Sequence, residues 1–145
     1  MGIYPVALAW LFMQKDPVEM QVVAHKAPNG VEDDVVMVFD YGEDSEGAVA
    51  TLGTSFRSKL QNWAYIIGEE AYIAIPDFWR AGECSLYELD TRIDHFDDGR
   101  TSLGFDYETI ASNEDILAGR QQNSIMPWDT TVRLQQHMAR VRELF

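Results

Sequence analysis

GAVATLGTSFRSKLQNWAYIIGEEAYIAIPDFW, residues Gly47–Trp79, places three strand-like runs between turn signals within one short stretch. Ala48, Ala50, Leu52, Thr54 and Phe56 alternate with Val49, Thr51, Gly53 and Ser55. That period of two predicts a strand with two chemically different faces. The first set suits a core. The second is small and β-tolerant, and suits a sheet face that meets another flat surface. A turn at residues 58–61 leads to a second strand, Trp63–Ile67. Gly68, Glu69 and Glu70 then form a tight turn into a third, Ala71–Ile75. Pro76 cannot donate to a ladder and ends the pairing, so Asp77, Phe78, Trp79 and Arg80 fall in a loop.

Working outward, two strands are expected upstream, at 18–26 and 34–41, joined by a turn at Pro28, Asn29 and Gly30. Glu43, Asp44 and Glu46 read as a solvated hairpin tip. Downstream, 85–89 and 92–96 suggest a hairpin across Asp90 and Thr91. Helices are expected at both ends of the chain. Pro5 suits a first helical turn, with Tyr4 near its cap. Ile3, Ala7, Trp10 and Leu11 repeat at helical spacing, but Val6, Leu8 and Phe12 make the other sides apolar too, so this helix needs cover all round. Tyr107–Ala118 reads as a helix closed by Gly119. Trp128–Phe145 reads as another, with Leu134, Met138, Val141 and Phe145 on one stripe. The pattern predicts an α+β fold: an open, mainly antiparallel β-sheet with helices on one face.

At 145 residues the chain reads as one domain, long enough to bury roughly 70% of its unfolded surface. A net charge of −13 argues against a phosphate-backbone partner, because nucleic-acid binding needs clustered Lys and Arg; it also disfavours anionic membranes. A single cysteine, Cys84, excludes an internal disulfide and fits a reducing compartment such as the cytoplasm, with a disulfide-free secreted protein the alternative. Cys84 reads as a small buried hydrophobe. The uncharged opening run, residues 1–14, is too short to span a bilayer and has no signal-peptide pattern. His25, His95 and His137 are scattered without metal-ligand spacing, so no metal is expected. No G-x-G-x-x-G or phosphate loop occurs, and no cofactor-binding residues are expected within the chain.

Five separated motifs, in order, resemble the C-terminal domain of the glucose-fructose oxidoreductase/inositol dehydrogenase family, closest to its dimeric dihydrodiol dehydrogenase-like branch. They are Gly2-Ile3-Tyr4-Pro5, the strand from Gly47 to Phe56, the run from Gly68 to Trp79, Gly104–Glu108 and Ser124–Pro127. The resemblance implies a fold like the C-terminal domains of dihydrodipicolinate reductase and glyceraldehyde-3-phosphate dehydrogenase. It also implies that residues 1–145 form a single substrate-binding and dimerisation domain, with the N-terminal nucleotide-binding domain absent from this chain. That absent domain would cover the first helix. A homodimer through the open sheet face is implied, as is NAD or NADP in the full-length protein.

By the same resemblance Tyr4 is the candidate general acid/base, exchanging a proton with a substrate hydroxyl or carbonyl. A phenol ordinarily titrates near pH 10 and needs a cation or a helix dipole to act at neutral pH. The amino terminus of the first helix offers the dipole. Trp79 resembles a wall of the substrate pocket, suited to a sugar, polyol or aromatic diol, with Phe78, Arg80 and Asp77 in the same loop. From the residues alone, a Phe-Trp pair after a strand caps a core and Arg80 pairs with Asp77. Phe105 and Tyr107 read as core anchors rather than ligands. Two functions remain open: the substrate half of an NAD(P)-dependent oxidoreductase, inert by itself, or a non-catalytic dimerisation or scaffold module that keeps the fold.

Overall fold

The computed structural model describes residues 2–42, 47–59 and 61–145. The hairpin tip expected at Glu43, Asp44 and Glu46, and Leu60 of the expected turn, lie outside them. The described chain divides into two compact units, residues 1–60 with 125–145, and residues 61–124. Each carries its own antiparallel sheet.

The first unit begins with α1 (Ile3–Met13), continues through β1 (Glu19–Lys26), β2 (Glu32–Asp40) and β3 (Val49–Ser55), and ends with α3 (Trp128–Arg142). The strands pair in the order β1-β2-β3. The β1–β2 turn forms as its residues require: Gly30 takes φ +83°, and its amide donates to the Ala27 carbonyl at 2.9 Å. One sheet face carries Met20, Val35, Met37, Phe39 and Tyr41. With Val6 of α1 and Leu134 and Val141 of α3, these form the core. Phe39, Met37 and Val6 are fully buried. The helices therefore lie on one face of the sheet, as expected. The other face aligns Val23 with Val36 and Gly53, and Gln21 with Val38 and Thr51. Val23 and Val36 are exposed there.

α1 differs from the all-round burial expected. Pro5, Val6 and Ala9 are buried, while Tyr4, Leu11 and Phe12 are exposed. The helix ends at Gln14, whose φ of +51° breaks the spiral and whose side-chain amide donates to the Leu11 carbonyl at 2.9 Å. Asp16 follows. Its carboxylate hydrogen-bonds His137 Nε2 at 2.9 Å and accepts from Arg133 Nη1 at 2.6 Å, tying α3 to the α1–β1 connection. His137 is buried, edge-on to Trp10 and Phe39.

The second unit is a meander, β4 (Trp63–Ile67), β5 (Tyr72–Pro76), β6 (Glu83–Glu88) and β7 (Thr91–Asp97), followed by α2 (Phe105–Leu117). Tyr72 faces Tyr87 across β5 and β6, with their rings stacked 5.1 Å apart. Cys84 is only partly buried, not enclosed in a core. The β6–β7 reversal places Leu89 at φ +52°, one residue before the expected turn pair. Gly119, at φ +68°, ends α2 as expected. Its amide reaches the Ile116 carbonyl and that of Arg120 reaches Asp115, the doubly bonded form of a glycine-terminated helix. Phe105 and Tyr107 are not core anchors: they are 60% and 49% exposed at the start of this helix. No helix among the described residues is long and apolar enough to cross a membrane.

Candidate functional site

Pro76 closes β5 in register with Trp63, and the chain then turns sharply. Asp77 takes φ +44°, a left-handed conformation that an aspartate tolerates better than most side chains. Its carbonyl accepts from the Arg80 amide at 2.8 Å, closing a 3₁₀ turn over Phe78–Arg80. The Phe78 amide donates to the Asn62 carbonyl at 3.2 Å, fixing this turn to the residue before β4. Arg80 Nη2 lies 3.6 Å from Asp77 Oδ2, the pairing expected from the sequence.

Asp77 and Arg80 form one wall of a polar cleft of about 230 Å³. Gly82, just before β6, and Glu83, its first residue, also line it. Asp97, Asp98, Arg100 and Ser102, from the segment after β7, close the opposite side. The β6–β7 ladder brings the two sides together: Glu83 pairs with Asp97, and the Asp98 amide donates to the Gly82 carbonyl at 2.9 Å. Four carboxylates thus meet two guanidinium groups and one hydroxyl. Asp98 lies 3.6 Å from Arg100 Nε, and Glu83 lies 3.7 Å from His95 Nε2. Asp97 Oδ1 accepts from the Gly99 amide at 2.8 Å. Ser102 Oγ donates to Asp106 Oδ1 at 2.5 Å, which holds the Asp106 carboxyl below its ordinary range.

Of the four loop residues singled out in the sequence, Asp77 and Arg80 line the cleft, whereas Phe78 and Trp79 do not. The Arg80 guanidinium carbon lies 4.8 Å from the Trp79 ring centre, a cation–π contact that ties the two side chains together. Tyr4 belongs to the first unit, as the second residue of α1 and 45% exposed. The far side of the cleft escaped the sequence analysis. Its one signal was Asp97-Asp98-Gly99-Arg100, a turn sequence directly after a strand.

A second cavity, about 130 Å³, lies in the first unit against Gly2, Met37, Met138 and Phe145, and is mainly apolar. Asp33 stands at its edge. One carboxylate oxygen takes Arg57 Nε at 2.7 Å, and the other is buried without a hydrogen-bond partner among the described residues. Among those residues no group of three His, Cys, Asp or Glu could hold a metal ion.

Residues 1–74 match the family model described as the GFO/IDH/MocA C-terminal domain. Among solved structures, the fold is similar to that of an aldose-aldose oxidoreductase from Caulobacter crescentus, crystallised with glycerol. The TM-score is 0.79 at 17% identity, over 99% of this chain and 43% of that one. This chain therefore spans less than half the length of that structural neighbour. A search of curated proteins finds no match.

Proposed function

The chain belongs to the GFO/IDH/MocA C-terminal domain family, and on that premise we propose that it is the substrate-binding and dimerisation half of an NAD(P)-dependent oxidoreductase acting on a sugar, polyol or related hydroxy compound. The observation that carries this reading is the polar cleft around Asp77, Arg80 and Arg100. Carboxylates accept hydrogen bonds from hydroxyl groups, and guanidinium groups donate to hydroxyl or carbonyl oxygens, so the lining suits a polyhydroxylated molecule. Four carboxylates against two guanidiniums repel an anion. The preferred substrate is accordingly uncharged rather than a sugar phosphate or sugar acid. The glycerol bound by the aldose-aldose oxidoreductase is of this chemical class.

A nicotinamide would supply or accept the hydride. The sequence contains no G-x-G-x-x-G, the fingerprint of a turn that seats a pyrophosphate on a helix amino terminus. The cofactor is therefore assigned to a nucleotide-binding domain that packs on the exposed side of α1, where Tyr4, Leu11 and Phe12 lie. Tyr4 Oη, in the first unit, is the proposed proton-exchanging group on the family resemblance alone. Trp79 backs the pocket wall. The second copy in a homodimer covers the sheet face around Val36, Gly53 and Thr51. The dihydrodiol dehydrogenase-like branch is proposed on the sequence motifs alone, and a lone Cys84 fits a reducing compartment such as the cytoplasm.

Titrating the labelled chain with neutral monosaccharides and polyols should shift backbone amide resonances of residues 76–83 and 97–102, with the corresponding phosphates and acids shifting them less. Uniform silence across this panel would overturn the assignment of the cleft.

A further inference from the structure

Arg100 lies twenty positions beyond Arg80 in sequence, yet its Nη2 donates to the Arg80 backbone carbonyl. Its side chain is only 15% exposed. Asp98 holds it from two directions: one carboxylate oxygen accepts the Arg100 amide at 2.9 Å, and the other lies 3.6 Å from Nε. The Tyr107 ring centre lies 6.0 Å from the guanidinium carbon. The seat itself is made by two missing side chains. A Cβ on Gly82 would come within 2.8 Å of Arg100 Nε, and one on Gly104 within 2.6 Å of Nη1. No larger residue fits at either position with the guanidinium where it is.

We propose that Arg100 is a positioning residue: seated between Gly82 and Gly104, it fastens the Phe78–Arg80 turn to the loop after β7 and so fixes the width of the substrate cleft. This rests on the oxidoreductase reading for its consequence, but not for its geometry. The Arg80 carbonyl belongs to the turn that carries both Arg80 and Trp79, so one guanidinium sets the position of a whole cleft wall. Nη2 donates to the Arg80 carbonyl and Nε faces Asp98, so these two nitrogens hold protein groups in place.

Two variants probe the seat independently. Arg100→Leu deletes the guanidinium. Gly82→Ala leaves it present but evicts it, because the flexible side-chain end yields more readily than the strand backbone and Gly82 has no positive φ to lose. In both, amide hydrogen exchange of residues 77–82 should quicken about tenfold or more, while β4 stays protected. In the two-domain enzyme both should raise KM about tenfold with kcat little changed, and Arg100→Lys should recover part of the loss. Unchanged exchange at 77–82 in both variants would overturn the clamp. Faster exchange with an unaltered KM would overturn its role in substrate binding. Faster exchange in a protein whose wild type turns over no sugar or polyol supports the clamp and counts against the oxidoreductase reading alone.

Discussion

Tyr4, Trp79 and Asp16 carry separable expectations. Tyr4→Phe keeps the ring and removes only the hydroxyl. In the two-domain enzyme it should lower turnover by about 10²- to 10⁴-fold, with little change in melting temperature, as measured by steady-state kinetics beside thermal unfolding. Trp79→Ala removes the ring braced 4.8 Å from Arg80, so KM for substrate should rise while nicotinamide affinity stays level. A loss of stability alone, with unchanged kinetics, would reduce Trp79 to a packing residue. Asp16 has a depressed pKa, chiefly because His137 hydrogen-bonds its carboxylate and then because Arg133 does. A depressed carboxylate stabilises the fold above its ordinary pKa of 3.8, and this contribution fades as pH falls through the lower, folded value. Wild type should therefore melt above Asp16→Asn at neutral pH, with the gap closing below about pH 4. The side chain is 54% exposed, so solvent screening keeps the gap modest.

At the level of elements, alternation and turn chemistry were legible. Trp63–Ile67 stands as a strand between the residues that bound it in sequence, and β3 places Ala50 and Leu52 against the core with Val49, Thr51 and Gly53 turned outward. Local pattern sufficed because each side chain's partner lies in the next strand. Burial of α1 was less legible: an apolar circumference states that cover is wanted, not what supplies it, and Leu11 remains 62% exposed. The cleft was half legible. Pro76 and Asp77 announce the turn, but Arg100 reaches Arg80 only through the return of β6 and β7, a contact no local pattern encodes. Two substitutions test the sheet faces. Phe39→Ala empties a fully buried site and should cost about 3–5 kcal/mol in denaturant unfolding. Thr51→Arg, on the outward face, should leave the monomer folded and split the proposed dimer in sedimentation by burying an unpaired charge.

For the molecule as a whole, three surfaces await occupants under the proposed function: the outward sheet face and the exposed side of α1 in the first unit, and the polar cleft in the second. The net charge of −13 fits this set, since neutral hydroxy compounds need no attracting field. The most direct test is a steady-state assay of this chain joined to the proposed nucleotide-binding domain, following nicotinamide absorbance against a panel of neutral aldoses and polyols, their phosphates and their acids. The account predicts saturable turnover of at least one neutral member, with the phosphates and acids poorer. No turnover across the panel by a folded, dinucleotide-bound protein would contradict it.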